Sequence, residues 1–498
     1  MRQPVAIAET EGKNDMDKRP NFVFIMCDSM DGRKMGCMGS KPLARATPNL
    51  DWLASQGTMM ANTYCANPVC VCSRASMLAG QYTHHCHAWN NYKGIPANSE
   101  TFFKALEREG YEFGLFGKTD YVSSQHSQRA RVTAWLRSAK IMKPQYNLPG
   151  PVLIQDDGTR EVSVHDWQKV RDAVTFLDGR GGDDTPFFLY VSLDYPHPPL
   201  KTSTYYLNRI DREAIAVPPK DVDEHPVMAY MRMCKNWRHT PDDESVRLAR
   251  AVYYAMIAEV DEMIGLLLDR VKEMGNTYVF FLSDHGEMNM EHGQYYKFTA
   301  FEPSARVPLI IAGPGVRKGR VVEHLESLVD IFPTVVELAG AQSTQALDGS
   351  SLVPILRGGV DARENRALCE YHDSGACTGI VMLRRDQYKY VAYPGYEPQL
   401  FDLDSDPWEI HNLSREKPEI VEQMDKELRS ITDYEEHDRL VKAYDKDSFR
   451  VWRDCHKAFG DYDRLMSEIF SGAEDGIPER ILPWTLEDEK LVTQWLEG

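Results

Sequence analysis

NFVFIMCDSMDG, residues 21–32, decides the fold class. Phe22 to Cys27 is unbroken apolar sequence that stops at Asp28, Ser29 and Asp31-Gly32. Alternation would mark a strand with one wet face, whereas a short continuous run marks a strand covered on both faces. The same signature returns at 186–193 (PFFLYVSL), 278–282 (YVFFL) and 307–312 (VPLIIA), and more weakly at 111–116. Helical periodicity fills the gaps at 101–109, 166–177 and 245–274. In the last of these Val252, Met256, Val260, Ile264, Leu267, Val271 and Met274 hold the i, i+3/i+4 spacing. Strand and helix alternate, which predicts an α/β fold with a mostly parallel sheet between two helical layers. Residues 200–245 are polar and Pro-containing and read as an inserted loop region. Past residue 366 the pattern changes to short strands at 381–384, 388–391 and 399–403, followed by a helix at 417–431. We therefore expect a main domain over 18–365. A C-terminal subdomain over 366–498 should carry a small antiparallel sheet and a partly helical tail, which covers the site or makes a homo-oligomer contact.

The 498 residues carry a net charge of −18, which argues against nucleic acid or an anionic membrane as a partner. An anionic substrate would need local positive charge or a metal. Ten cysteines without zinc-type spacing read as mostly reduced thiols. Residues 1–20 hold no apolar run of secretory length, and no window approaches a membrane span, so a cytoplasmic enzyme is the expectation.

Ligands of open α/β sheets bind at the carboxyl ends of the strands. Those ends carry Asp28, Lys118, His197 (between prolines) and the pair Asp284-His285. Each has an ordinary alternative: Asp28 as a turn former, Lys118 as a solvated cation. Residues 67–80, NPVCVCSRASMLAG, put Cys70 and Cys72 at the start of a helix with Arg74 one turn on. A thiol there gains from unpaired N–H groups and the helix dipole, although two cysteines can equally be small buried hydrophobes. The loop holding His84, Trp89, Asn90, Asn91 and Lys93 has the composition of a substrate-facing wall, or of a surface loop with one packed Trp. His292 and Lys297 lie in a turn-rich segment further on. Together these residues supply carboxylates for a hard cation, a nucleophile, cations for a polyanionic oxygen cluster and an imidazole proton donor. They are the parts for metal-assisted attack on a tetrahedral oxyanion ester.

FIMCDSMDG, CVCSRASMLAG, GKTD, PHPP and FLSDHGE, with SLVDIFPTVVELAG and LFDLDSDPWEIHNL later on, resemble the sulfatase family of the alkaline phosphatase superfamily. WNNYKG, GKTDY, YYAMIAEVDEMIG, SDHGEMNMEHGQYYK and ITDY resemble its arylsulfatase K-like, uronate 2-sulfatase branch. The resemblance implies that a maturing enzyme oxidises Cys70 to formylglycine, whose hydrate attacks sulfur. It implies a calcium ion, with magnesium or manganese as alternatives, held by Asp28, residue 70, Asp284 and His285. Arg74 would hold the hydrate, Lys118 and Lys297 the sulfate oxygens, and His197 would protonate the leaving alcohol. The implied substrate is a small sulfate ester, a sulfated sugar or aryl ester. Four positions depart from the family pattern. Ser29 replaces a second aspartate, Asp120 a histidine (His84 or His292 being candidates to stand in), His285 an asparagine, and Cys72 a proline or alanine. The last leaves open an unmodified Cys70 thiolate and a phosphodiester or phosphonate monoester hydrolase on the same site. A binding protein with a dead site is the third reading, and the intact set of ionic residues opposes it.

Overall fold

The computed structural model describes residues 19–122, 128–141, 152–154, 159–180, 184–235, 237, 241–360, 362–471 and 484–498. Its main sheet has seven strands: β1 (Asn21–Cys27), β2 (Thr58–Tyr64), β3 (Glu112–Gly117), β4 (Phe187–Ser192), β5 (Thr277–Ser283), β6 (Arg306–Ala312) and β7 (Arg320–Ser327). They lie in the order β3-β4-β1-β5-β6-β2-β7. Only β6 runs against its neighbours; the other pairs are parallel. The period of two along β1 sorts its side chains into two cores. Phe22, Phe24 and Met26 join Phe188 and Phe280 under α2 (Cys70–Ala79) and α3 (Phe102–Arg108), with Phe24 and Phe280 5.2 Å apart. Val23, Ile25 and Cys27 face the opposite helical layer.

That second layer contains α1 (Pro48–Gln56), α5 (Val164–Asp178) and α7 (Asp243–Val271); α4 (Gln128–Trp135) precedes α5 and α6 (Pro226–Cys234) precedes α7 along the chain. The α7 helix is 29 residues long and starts on Asp242, whose side chain accepts the Ser245 N–H. Its Asp261 accepts the Leu50 N–H at 2.8 Å and both Asn49 donors, satisfying the first turn of α1 from a neighbouring helix. Among the described residues no helix is long and apolar enough to cross a membrane.

Helix α8 (Ile331–Ala339) leads to an antiparallel sheet of β8 (Arg366–Tyr371), β9 (Ile380–Arg385), β10 (Tyr388–Ala392) and β11 (Gln399–Asp402). One face packs on Met424 and Leu428 of α9 (Pro418–Ile431). From the other face Ala367, Cys369 and Tyr371 of β8 enter the main core. Helices α10 (Tyr434–Phe459), α11 (Tyr462–Ser471) and α12 (Leu486–Glu497) close over Val132 and Leu136.

The structure differs from the sequence expectation at three places. The 200–245 region contains α6, whose Met228 and Met231 are buried. Strand β2 carries Thr58, Asn62 and Thr63, and β7 mixes Arg320, Glu323, His324 and Glu326 with apolar residues, so neither forms a continuous apolar run. The outermost strand of a sheet has a wet face, and β7 occupies that position.

Candidate active site

Parallel pairing brings the reactive residues together. Cys27 pairs with Ser283 across β1 and β5, so Asp28 and Asp284 leave the sheet side by side. Ser29 then turns with φ at 69°, and its N–H faces Asp284 Oδ1 at 3.3 Å. Gly117 pairs with Ser192 at the end of β3. Its φ is 97° and a Cβ there would lie 2.1 Å from the Ser192 carbonyl oxygen, so only glycine lets Lys118 turn back over the sheet. Gly286 is required for a similar reason: a Cβ would meet the Pro303 carbonyl oxygen at 1.9 Å. Cys70 is the first residue of α2, and Asn91 Oδ1 accepts the Val71 N–H at 3.1 Å where the N-cap Val69 offers no side-chain acceptor.

Asp28, Cys70, Asp284 and His285 each point one ligand atom into a space where all four lie within 4.8 Å of one another. Cys70 Sγ is 3.1 Å from His285 Nε2 and 3.8 Å from Asp28 Oδ1. The His285 Nδ1–H donates to the Gly286 carbonyl at 3.0 Å, which leaves Nε2 with its lone pair facing the cluster. Two buried carboxylates, a lone-pair nitrogen and a thiol fit a divalent cation.

Positive charge rings this cluster. Arg74 is fully buried; its Nε donates to Asp284 Oδ2 at 2.8 Å and its Nη2 faces Asp28 Oδ2 at 3.4 Å. Its Nη1 donates to the Lys118 carbonyl and to Ser192 Oγ, both at 2.8 Å. Lys118 Nζ donates to Asp28 Oδ2 at 2.7 Å, and Lys297 Nζ to His197 Nε2 at 2.7 Å. Burial works against the ionised Asp28, yet Lys118 and Lys297 hold its carboxyl well below the usual range. Burial and Asp28 raise the Cys70 thiol, but Lys118, Lys297 and His285 outweigh them and bring it to about 7. Burial and then the Lys297 ammonium push His197 down to about 3, a neutral imidazole.

These groups line a cavity of about 280 Å³ with Cys70, Lys118, His197 and Lys297 at its base. Its walls contain residues that the sequence reading left out, chiefly Lys235, Tyr92, Phe298, Asp373 and Ser374. Lys235 is buried, donates to Ser374 Oγ at 2.8 Å and sits 3.8 Å over the Phe298 ring; burial lowers its pKa to about 8. It follows α6 directly, inside the stretch read as loop. Asp373 follows β8 and accepts the Asn91 N–H at 2.8 Å.

Of the expected substrate-contacting residues, Asn91 is among those lining the cavity. The others lie elsewhere. His84 pairs with Glu370 at 3.0 Å, and Trp89 stacks edge-on with Tyr444 and His437. Asn90 is buried behind the loop, and Lys93 lies over the Trp89 ring at 3.7 Å. His292 bonds Asp221 at 2.6 Å and stacks on Phe301. No described contact joins His84 or His292 to Lys118; Asp120 itself approaches Lys118 Nζ, at 3.7 Å. Cys72 points into the hydrophobic core, since two positions along a helix turn the side chain about 200° away from Cys70.

The sulfatase family profile matches residues 20–341, and the profile of the N-sulphoglucosamine sulphohydrolase C-terminal region matches residues 290–434. Arylsulfatase K of Danio rerio is 37% identical over 478 residues, covering 91% of this chain and 90% of its own length. Arylsulfatase K of Homo sapiens is 36% identical over 466 residues, covering 88% and 86%. Among solved structures, a phosphonate monoester hydrolase of Agrobacterium radiobacter superposes with a TM-score of 0.69 at 26% identity, over 83% of this chain and 95% of that one. On the extent of these matches the chain is a sulfuric ester hydrolase and belongs to the sulfatase family.

Proposed function

We propose that this sulfatase releases sulfate from a sulfated sugar or aryl ester through residue 70, with Asp28, Asp284, His285 and residue 70 holding one divalent cation. The carrying observation is the convergence of that donor set with Lys118, Lys297 and His197 on one small cavity. A calcium ion, or magnesium or manganese in its place, would polarise a sulfate oxygen as a Lewis acid. A maturing enzyme that oxidised Cys70 to formylglycine would provide a hydrated aldehyde oxygen as nucleophile at that position.

The protein's own side chains do the rest. Lys118 and Lys297 bind the non-bridging sulfate oxygens, where charge builds during S–O cleavage. Arg74 holds the Asp28 and Asp284 carboxylates in position. His197 is neutral while Lys297 donates to it. An anion that engages Lys297 draws its ammonium off Nε2 and offsets its charge, which lifts the second cause of the low His197 basicity, after burial, and frees Nε2 to carry a proton to the departing alcohol. Lys235 on the wall suits a substrate with a second anionic or strongly polar group beside the sulfate.

The deciding experiment pairs mass spectrometry of the tryptic peptide Ala46–Arg74, prepared from a sulfatase-maturing host, with a panel of sulfated mono- and disaccharides. An aldehyde or hydrate at residue 70 together with sulfate release is expected. An intact thiol in an active preparation overturns the formylglycine route. His197→Ala should lower kcat/KM by about 10²–10⁴-fold for sugar sulfates. The same variant should cost far less for nitrophenyl sulfate, whose leaving group needs no proton; an equal loss on both would remove His197 from the acid role.

The likeness to a phosphonate monoester hydrolase favours a second reading, hydrolysis of phosphodiesters or phosphonate monoesters on the same clamp. Comparing turnover of aryl sulfate, aryl phosphodiester and aryl phosphonate on one preparation ranks the two.

A further inference from the structure

We infer that a second metal site, separate from the catalytic cluster, is built from Glu370, His372 and His437 and takes a zinc-class transition ion. One ligand atom from each residue lies within 4.8 Å of the other two, and all three residues are buried. Two imidazoles and one carboxylate form a donor set suited to zinc and its first-row neighbours, in contrast to the carboxylate-rich set around Cys70. A tetrahedral ion with bonds of about 2.0 Å wants its ligand atoms about 3.3 Å apart, and the three atoms here lie within 4.8 Å of one another.

The surroundings leave nitrogen lone pairs and N–H groups unused. His372 Nδ1 and Nε2 and His437 Nε2 are buried without a hydrogen-bond partner among the described residues. Asp438 Oδ1 lies 3.7 Å from His372 Nδ1, beyond hydrogen-bond distance. Burying such atoms unsatisfied is costly, and a bound cation removes that cost for every nitrogen it engages. The rings of His372 and His437 stand edge to face with centroids 4.8 Å apart, which aims one ring's edge toward the other.

The carboxylate is already oriented for the role. His84 Nδ1 sits 3.0 Å from both Glu370 oxygens, and the His84 backbone N–H donates to Oε2 at 3.2 Å. A histidine bonded to a ligating carboxylate is a recurrent outer partner in metal sites. Gly379 presses on the ring of His372, since a Cβ there would lie 2.6 Å from its Cε1, so the ring has little room to swing away. An ion here would pin β8 to the first turn of α10 and fix the chain just before Asp373 at the cavity wall.

The test uses full-length protein stripped with chelator, saturated with calcium and titrated with Zn²⁺ against a competing chelator dye. Wild type and Asp28→Asn should each take up one tight equivalent. His437→Gln and His372→Gln should lose it, and His84→Gln should weaken it about 10–100-fold. X-ray absorption on the zinc-loaded wild type should show an all-N/O shell with two imidazoles, a readout independent of how the variants fold. The proposal is overturned if calcium-saturated wild type takes up no tight zinc, if uptake survives both histidine variants, or if Asp28→Asn alone abolishes it.

Discussion

Cys70→Ala should abolish sulfate ester turnover, with kcat/KM down by at least about 10⁴-fold on every substrate the wild type accepts. Residue 70 is the only side chain at the cavity base that can provide a nucleophilic atom between the Asp28–Asp284–His285 triangle and the lysines among the described residues. Its removal would take away both the proposed attacking atom and one donor of the candidate cation cluster. The fold should scarcely respond, because exchanging a thiol for a hydrogen on a small helical side chain vacates little volume. A steady-state assay with matched unfolding curves checks this, and residual activity within about tenfold of wild type would assign the nucleophile elsewhere.

Arg74→Ala should be costly in another way. Arg74 makes no contact with solvent and joins Asp284, Asp28, the Lys118 carbonyl, Ser192 and Tyr190. Removing one member of a buried ionic network strands the others, and Asp284 would lose its 2.8 Å partner without gaining water; about 3–5 kcal/mol of stability should go with it. Arg74→Lys retains the charge but lacks the fork that reaches both carboxylates and the carbonyl, so an intermediate loss is expected. Denaturant midpoints at fixed calcium concentration provide the measurement. Equal midpoints for wild type and Arg74→Ala would mean that the carboxylates find other compensation.

Much of this architecture was legible because buried parallel strands announce themselves as apolar runs, and the residue that ends each run sits where ligands bind. Asp28, Lys118, His197 and Asp284 were found that way. Lys235 and Asp373 were not, since each reaches the cavity through tertiary packing, from the end of α6 and the end of β8. His84, Trp89, Lys93 and His292 show the converse. Nearness in sequence to a reactive motif made them candidates, yet a few residues of loop suffice to turn a side chain to another neighbour, and each found one: Glu370, Tyr444, Trp89 and Asp221. Strand β7 escaped notice for a related reason, as mixed composition on a strand marks its outermost place in the sheet rather than its absence.

Cys70 is 3% exposed in the folded chain, walled in by His285, Lys118 and the turn of α2. A catalyst that must grip the peptide around that thiol has no path to it once α2 has docked. The residues that close the wall, Asp284, His285 and Lys297, are synthesised long after Cys70 emerges. Under the formylglycine route proposed above, the interval between the emergence of residue 70 and the arrival of β5 would be the window for its oxidation, and folding would then close the thiol off.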